Sequence, residues 1–258
     1  MDIYQVDAFN NTVFKGNPAA VCPLEKWISD DLMQAIAEEN NLSETVFFVK
    51  NGNLFDIKWF TPTCEIDLCG HATLAAAHII FSDLNFKEKQ LEFNSKSGKL
   101  TVTKVGDWYT LNFPSEEIVA IETPDLLKKA LNVPILKTFK GKWKLLVELE
   151  SEAIVKNLNP NFHLLTQLEY SGIGVTAKGD SADFVSRFFA PKIGINEDPV
   201  TGSAHSMLIP YWAKKLHKTK LDAVQISKRT GILKCEYLSD RVEMSGQAVT
   251  YLKGKLTL

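Results

Sequence analysis

Alternation of apolar and polar residues with period two runs through most of this chain, and it predicts a protein built mainly of half-buried strands. In the first half the pattern marks Ile3–Phe9, Thr45–Val49, Leu54–Phe60, Leu91–Phe93, Lys99–Lys104 and Trp108–Phe113. Gly98 and the Gly106-Asp107 pair divide the last three into a meander. Trp143–Glu148, Ile173–Ala177, Phe184–Phe189, Val224–Ser227, Ile232–Tyr237 and Arg241–Ser245 repeat the theme. Helical periodicity is rarer. Ser29-Asp30-Asp31-Leu32 opens an amphipathic helix to about Glu39, with Leu32, Met33, Ile36 and Ala37 on one face, and Pro124-Asp125 opens a shorter one to Leu131. Two further segments, Thr73–Phe81 and Ser203–Trp212, are apolar nearly all round and so predict helices enclosed by protein. Pro210 removes one backbone donor from the second and is expected to bend it.

Those two segments belong to a duplication. Trp59-Phe60-Thr61-Pro62 followed by Cys69-Gly70-His71-Ala72-Thr73 is matched by Phe188-Phe189-Ala190-Pro191 followed by Thr201-Gly202-Ser203-Ala204-His205. Ser97-Gly98-Lys99-Leu100 pairs in the same way with Thr230-Gly231-Ile232-Leu233. The offset is nearly constant and close to half the chain, too long for a solenoid repeat. The expected fold is therefore α+β: two pseudo-symmetric lobes, each a curled, mostly antiparallel sheet wrapped around a central helix. The lobes are expected at 1–116, with a central helix near 71–81, and at 117–258, with a central helix near 202–214. The linker is placed near Pro114–Thr123. The closing strand, Ala248–Leu252 or Lys255–Leu258, has the option of returning to the first lobe. Two such lobes facing one another would form a cleft, a natural place for a ligand.

Composition narrows the function. Hydrophobic residues make up 45% and charged residues 23% of 258, ordinary values for a globular protein with a real core. A net charge of −2 offers no basic field for nucleic acid or anionic lipid. The apolar runs are too short to span a membrane, and Met1–Asp7 lacks the basic and apolar regions of a signal peptide, so a cytoplasmic place is expected. Cys22, Cys64, Cys69 and Cys235 are then expected as reduced thiols. Cys64, Cys69 and His71 lie close together but lack a matching second pair, so no metal is expected. Gly172-Ile173-Gly174 with Gly179 lacks the helix and spaced acid of a dinucleotide loop, and no cofactor is expected.

Candidate chemistry gathers at the two helix starts. Each opens at a glycine, where backbone N–H groups and the helix dipole attract anions; such an end is worth roughly 0.3–1 kcal/mol when exposed and up to about 2 when partly buried. Both ends reaching one cleft would hold a small carboxylate. The same glycines could instead serve only close packing. His71 and Ser203 are equivalent positions. The dipole should keep His71 neutral, able to donate a hydrogen bond or relay a proton, unless a nearby carbonyl simply satisfies it. His78 and His205, within the helices, read as packing residues. Asp198, before Pro199, could turn into the cleft or stabilise its own loop. Glu44 is the sharpest asymmetry, because the second-half counterpart, Gly172-Ile173-Gly174-Val175, carries no acid. At the mouth of an apolar strand its carboxylate would be desolvated into the range useful for proton transfer, or it could cap the turn after Asn40-Asn41.

Val6-Asp7-Ala8-Phe9, Phe14–Val21, Ser43-Glu44-Thr45, Phe60-Thr61-Pro62, Cys69–Thr73 and Glu197–Ala204 together resemble the phenazine-biosynthesis (PhzF-like) isomerase family. The resemblance implies a diaminopimelate-epimerase-like fold and a cofactor-free proton shift of the kind that isomerises a dihydro-hydroxyanthranilate. It implies Glu44 as the acid/base, with His71, Asp198 and Ser203 assisting. Gly70, Ala72, Thr201, Gly202 and Asn17 would hold the substrate. The related epimerases place one cysteine at each helix start; here Cys69 precedes Gly70 but Thr201 precedes Gly202, so that pair is broken. Three readings follow: a single-carboxylate isomerase acting on a small carboxylate, a one-thiol epimerase or racemase using Cys69, and a non-catalytic binder of a carboxylate metabolite. Exposed sheet edges also leave room for a homodimer.

Overall fold

The computed structural model describes residues 1–258. The chain divides into two compact units: Met1–Asn112 with Ser245–Leu258, and Phe113–Met244. The division thus falls a few residues before the expected 116/117 boundary. A second division at 244/245 assigns the end of the chain to the first unit.

The first unit contains β1 (Asp2–Ala8), β2 (Asn17–Leu24), α1 (Asp30–Asn40), β3 (Glu44–Asn51), β4 (Leu54–Phe60), β5 (Glu65–Ile66), α2 (Gly70–Ser82), β6 (Gln90–Ser95), β7 (Gly98–Val105) and most of β8 (Trp108–Pro114). The second contains β9 (Val119–Ile121), α3 (Asp125–Leu131), β10 (Lys137–Lys140), β11 (Lys144–Glu148), α4 (Glu152–Asn157), α5 (Phe162–Thr166), β12 (Gly172–Lys178), β13 (Phe184–Ala190), β14 (Ile195–Asp198), α6 (Gly202–Leu216), β15 (Lys220–Gln225), β16 (Gly231–Tyr237) and most of β17 (Arg241–Gly246). The last strand, β18 (Ala248–Lys255), pairs with β1.

Strand pairing shows the duplication more plainly than the motifs do. In the first unit β1–β2 is antiparallel, β2–β3 parallel, β3–β4 antiparallel, β4–β6 parallel and β6–β7 antiparallel. In the second, β10–β11, β11–β12, β12–β13, β13–β15 and β15–β16 repeat that series in the same order. The outer neighbour of β1 is β18, and the outer neighbour of β10 is β9, both antiparallel. The C-terminal segment therefore fills in the first unit the place that β9 fills in the second.

Each parallel step needs a crossover, and the central helices supply one in each unit. α2 crosses between β4 and β6 and packs on β1, β2, β3 and β18. Nearly all of it is buried, as its uniform apolarity requires. Leu74, Ile79 and Ile80 lose all exposure, at roughly 1.5–3 kcal/mol of favourable burial each. α1, capped by Ser29 and ended by the left-handed Asn41, lays Met33, Ile36 and Ala37 against Cys22, Phe47 and Phe60 on the other face of that sheet. α6 runs past Pro210 to Leu216. The donor that Pro210 lacks is made good at the acceptor: the Ser206 carbonyl accepts instead from the Glu116 N–H at 3.0 Å. No helix of the structure is long and apolar enough to cross a membrane.

Gly172 opens β12 and pairs with Lys144 in parallel register, just as Glu44 opens β3 and pairs with Ala19. The two are equivalent positions. A Cβ at Gly172 would lie 2.2 Å from the Phe188 ring, so the second unit has filled with an aromatic the space that the first gives to an acid. Gly172→Ala should destabilise the protein by about 1–3 kcal/mol in urea unfolding, because the Phe188 ring must leave its position.

Candidate active site

Glu44, Cys69, His71 and Asn17 come together inside the first unit. Asn17 and Glu44 are the opening residues of β2 and β3, adjacent strands of one sheet, and Cys69 and His71 flank the first residue of α2. All four are buried, Glu44 at 8% exposure being the most open. The turn that delivers Glu44 is fixed by the left-handed Asn41 and by the Asn40 amide donating to Thr45 Oγ1 at 3.1 Å. Thr45 thus takes the contact expected of Glu44 in that turn, and the carboxylate is left for His71.

His71 is the hub. Its Nε2 lies 2.9 Å from Glu44 Oε2. On the other side of the ring, Nδ1 faces the Asn17 amide nitrogen at 3.1 Å and Cys69 Sγ at 3.5 Å. The Asn17 amide donating to Nδ1 puts the proton of the neutral ring on Nε2, facing the acid. The 2.9 Å contact has ion-pair distance but lies outside hydrogen-bond geometry, so Glu44 Oε2 and His71 Nε2 both keep unused bonding capacity. Burial opposes charging the ring, yet Cys69 and Glu44 beside it prevail and hold its pKa well above 6.5. The helix dipole alone predicted a neutral imidazole, and Cys69 and then Glu44 at contact distance act against it. The thiol of Cys69 moves up as well, through burial first and the Glu44 charge second, with His71 pulling the other way.

Sulfur, nitrogen and carboxylate oxygen here lie within 4.8 Å of one another, a donor set that metals use. The sulfur and the carboxylate, however, meet opposite ring nitrogens. One ion could engage all three only if the imidazole turned. The arrangement suits protons better.

Cys69 occupies the N-cap of α2 without a side-chain hydrogen bond to the helix. Gly70 is half-buried and Ala72 fully buried in the turn that follows. Thr201 occupies the N-cap of α6, again without a capping bond, although threonine is a good cap. Its hydroxyl donates instead to Asp198 Oδ2 at 2.5 Å. Asp198 therefore stabilises its own loop, one of the two roles open to it in the sequence. Gln225, fully buried on β15, secures this turn: its amide donates to the Asp198 carbonyl at 2.7 Å and its Oε1 accepts from the Thr201 N–H at 2.9 Å. On the strand before, Arg187 grips both oxygens of Glu197 at 2.7 and 2.8 Å and reaches the Leu158 carbonyl at 2.6 Å. Gly202 is buried and Ser203 exposed, with the Ser203 carbonyl accepting from Lys144 Nζ at 3.1 Å. Nothing in the sequence pattern singled out Gln225 or Arg187. Their partners lie one strand away or more, and a lone Gln or Arg inside a strand has no local signature.

A family profile described as "Phenazine biosynthesis-like protein" matches residues 6–254. The chain belongs to that PhzF-like family. An uncharacterised isomerase of Pseudomonas aeruginosa is 47% identical to it, covering 100% of this chain and 99% of the relative. A PhzF-family phenazine biosynthesis protein from Enterococcus faecalis, of known structure, superposes with a TM-score of 0.98 at 49% identity, over 100% of this chain and 99% of that one. A predicted epimerase from Pseudomonas aeruginosa shares the fold at a TM-score of 0.74 and 17% identity, covering 100% of this chain and 99% of its own. Membership makes the protein an isomerase by class and leaves its substrate open.

The other two histidines of the central helices of this PhzF-like chain, His78 and His205, are packing residues. His78 bonds Tyr109 Oη and Thr250 Oγ1, both at 3.0 Å, and burial lowers its pKa to about 4. His205 donates from Nδ1 to the Thr201 carbonyl at 2.8 Å, and burial likewise takes it to about 4. Between pH 6.5 and 4 the unfolded chain binds protons at these sites that the folded chain refuses, so stability falls as pH falls through that window. His71 has the opposite sign: its contribution is complete below 6.5 and lost as pH rises through its raised folded value. Urea midpoints should therefore drop on acidification from pH 6.5 to 4, less steeply in His205→Asn. Above neutrality they should show a second loss that His71→Gln removes.

Proposed function

We propose that the protein is a cofactor-independent isomerase that moves a proton on a small carboxylate substrate, with Glu44 as the general acid/base. The observation that carries this reading is the buried Glu44–His71 pair beside an α2 start that its own cap side chain leaves open. A carboxylate in contact with an imidazole of raised pKa is placed to accept a proton from carbon. The same imidazole stabilises it by charge and orients one oxygen, leaving the other for the substrate. Backbone N–H groups at Gly70, His71 and Ala72, reinforced by the helix dipole, suit the substrate carboxylate. Asn17 would fix the ring and contribute its amide. The duplication extends the proposal to Thr201, Gly202 and Ser203 as further substrate contacts, with Asp198 holding Thr201 in place.

A second reading, an epimerase that applies Cys69 to the substrate itself, is favoured by one contact, the sulfur 3.5 Å from His71 Nδ1. Its 6% exposure and its upward-shifted thiol argue for the carboxylate as the group that meets carbon.

Glu44→Gln keeps the shape of the side chain and removes the base. A well-placed general base contributes about 10²–10⁴-fold, so the variant should lose that much of the rate. The protein is incubated in deuterated water with a panel of small unsaturated and amino carboxylates, and label uptake is followed by mass spectrometry. Uptake should be seen with wild type and nearly vanish with Glu44→Gln while the variant keeps the folded circular-dichroism spectrum. Equal uptake by the two proteins would refute the assignment.

A further inference from the structure

The imidazole of His71 does more than support the acid: it joins Glu44 to a thiol on the far side of its ring. We propose that Cys69, His71 and Glu44 form a proton relay in which the Cys69 sulfur is the reservoir that lets one carboxylate serve both as base and as acid. The proposal rests on the reading of Glu44 as the group that exchanges a proton with carbon.

Geometry carries the inference. The sulfur faces Nδ1 at 3.5 Å and the carboxylate faces Nε2 at 2.9 Å, so the ring has a proton-bearing group at each end. Cys69 is at an N-cap, where a side chain ordinarily turns back onto the helix, yet it makes no capping bond and lies against the histidine instead. The other buried thiols, Cys22 and Cys235, have no imidazole beside them; burial pushes both up, Cys22 to about 12, with the Asp222 and Asp183 charges adding to it at Cys235. Cys64 is exposed. The groups facing His71 are Asn17 from β2, Glu44 from β3 and Cys69 from the start of α2 itself, and only the last two titrate.

The step conserves protons. At one end of the relay Glu44 is a carboxylate, His71 carries its proton on Nε2 and Cys69 is a thiol. The S–H bond breaks, its proton forms a bond to Nδ1, and the Nε2 proton passes to Glu44 Oε2. Sulfur keeps the electron pair as a thiolate, and Glu44 is now a carboxylic acid able to protonate carbon. The reverse passage carries a proton taken from carbon by Glu44 back to the sulfur. Between the two forms lies a carboxylate–imidazolium–thiolate state, which the upward shift of His71 favours and the burial of the Cys69 thiol opposes. Cys69 thus acts through His71 and need not touch the substrate.

The test requires no substrate. The protein is labelled with ¹⁵N-histidine, the His71 resonances are assigned by their loss in His71→Gln, and the ring is titrated in wild type, Cys69→Ala and Cys69→Ser. The relay predicts that Cys69→Ala lowers the His71 midpoint by about one pH unit. Cys69→Ser keeps a hydrogen-bonding group of similar size and should recover part of the shift, which also serves should the alanine variant fold poorly. Reciprocally, in a Cys64→Ser background, the Cys69 thiolate absorbance should appear at higher pH in His71→Gln than in its parent. A His71 midpoint unmoved by either cysteine substitution, with Glu44→Gln still lowering it, would overturn the relay and leave the acid–imidazole pair intact. A midpoint indifferent to Glu44→Gln would count instead against the pair on which the proposed function stands.

Discussion

A carboxylate and an imidazole facing each other at 2.9 Å inside the first unit are the contact on which the chemistry proposed for this protein rests. Neither group is easily buried alone, since an isolated charge in an apolar interior costs several kcal/mol. Together they tolerate burial, and their need for one another fixes the first turn of α2 against the openings of β2 and β3. Because the contact falls short of full hydrogen-bond geometry, the pair is held together by charge with bonding capacity to spare. That is a useful state for a site that has to pass a proton outward.

The fold supplies the means. A parallel step between strands forces a crossover, and in each unit the helix that makes the second parallel step is buried along most of its length. The start of such a helix necessarily lies beside strand openings, where side chains from neighbouring strands converge. Duplication gave the protein two of these junctions, and they have diverged by one exchange of space. Glu44 occupies in the first unit what the Phe188 ring occupies beside Gly172 in the second. At the second junction Thr201 and Asp198 are tied to each other and to Gln225, a closed polar turn rather than an acid–base pair.

Much of this was legible in the residues. The uniform apolarity of Thr73–Phe81 and Ser203–Trp212, the repeated glycine that opens each, and the acid at Glu44 without a counterpart were local features, and local features are what periodicity records. What sequence reading lost was long-range. β2 was not foreseen because Pro18 and Pro23 lower its strand propensity, yet both stand next to a strand end, where a missing donor is tolerated. α4 and α5 are short, and only their caps, Ser151 and Asn161, announce them. The dipole that favours a neutral His71 belongs to its own helix and can be seen in the sequence, whereas the contacts that raise its pKa, from Cys69 and then Glu44, depend on how the side chains are placed. Cys69 was considered as a nucleophile or as a broken half of a pair, and its place behind the imidazole emerged only from the side-chain geometry.

Neutron diffraction from crystals grown at neutral pD tests the central claim most directly, because it locates the hydrogens on which everything else turns. The Glu44 side chain should point inward with a deuteron on His71 Nε2 between the ring and the carboxylate. A Glu44 side chain turned to solvent, or an Nε2 bare of deuterium at that contact, would contradict the claim that this pair is the proton-transferring centre.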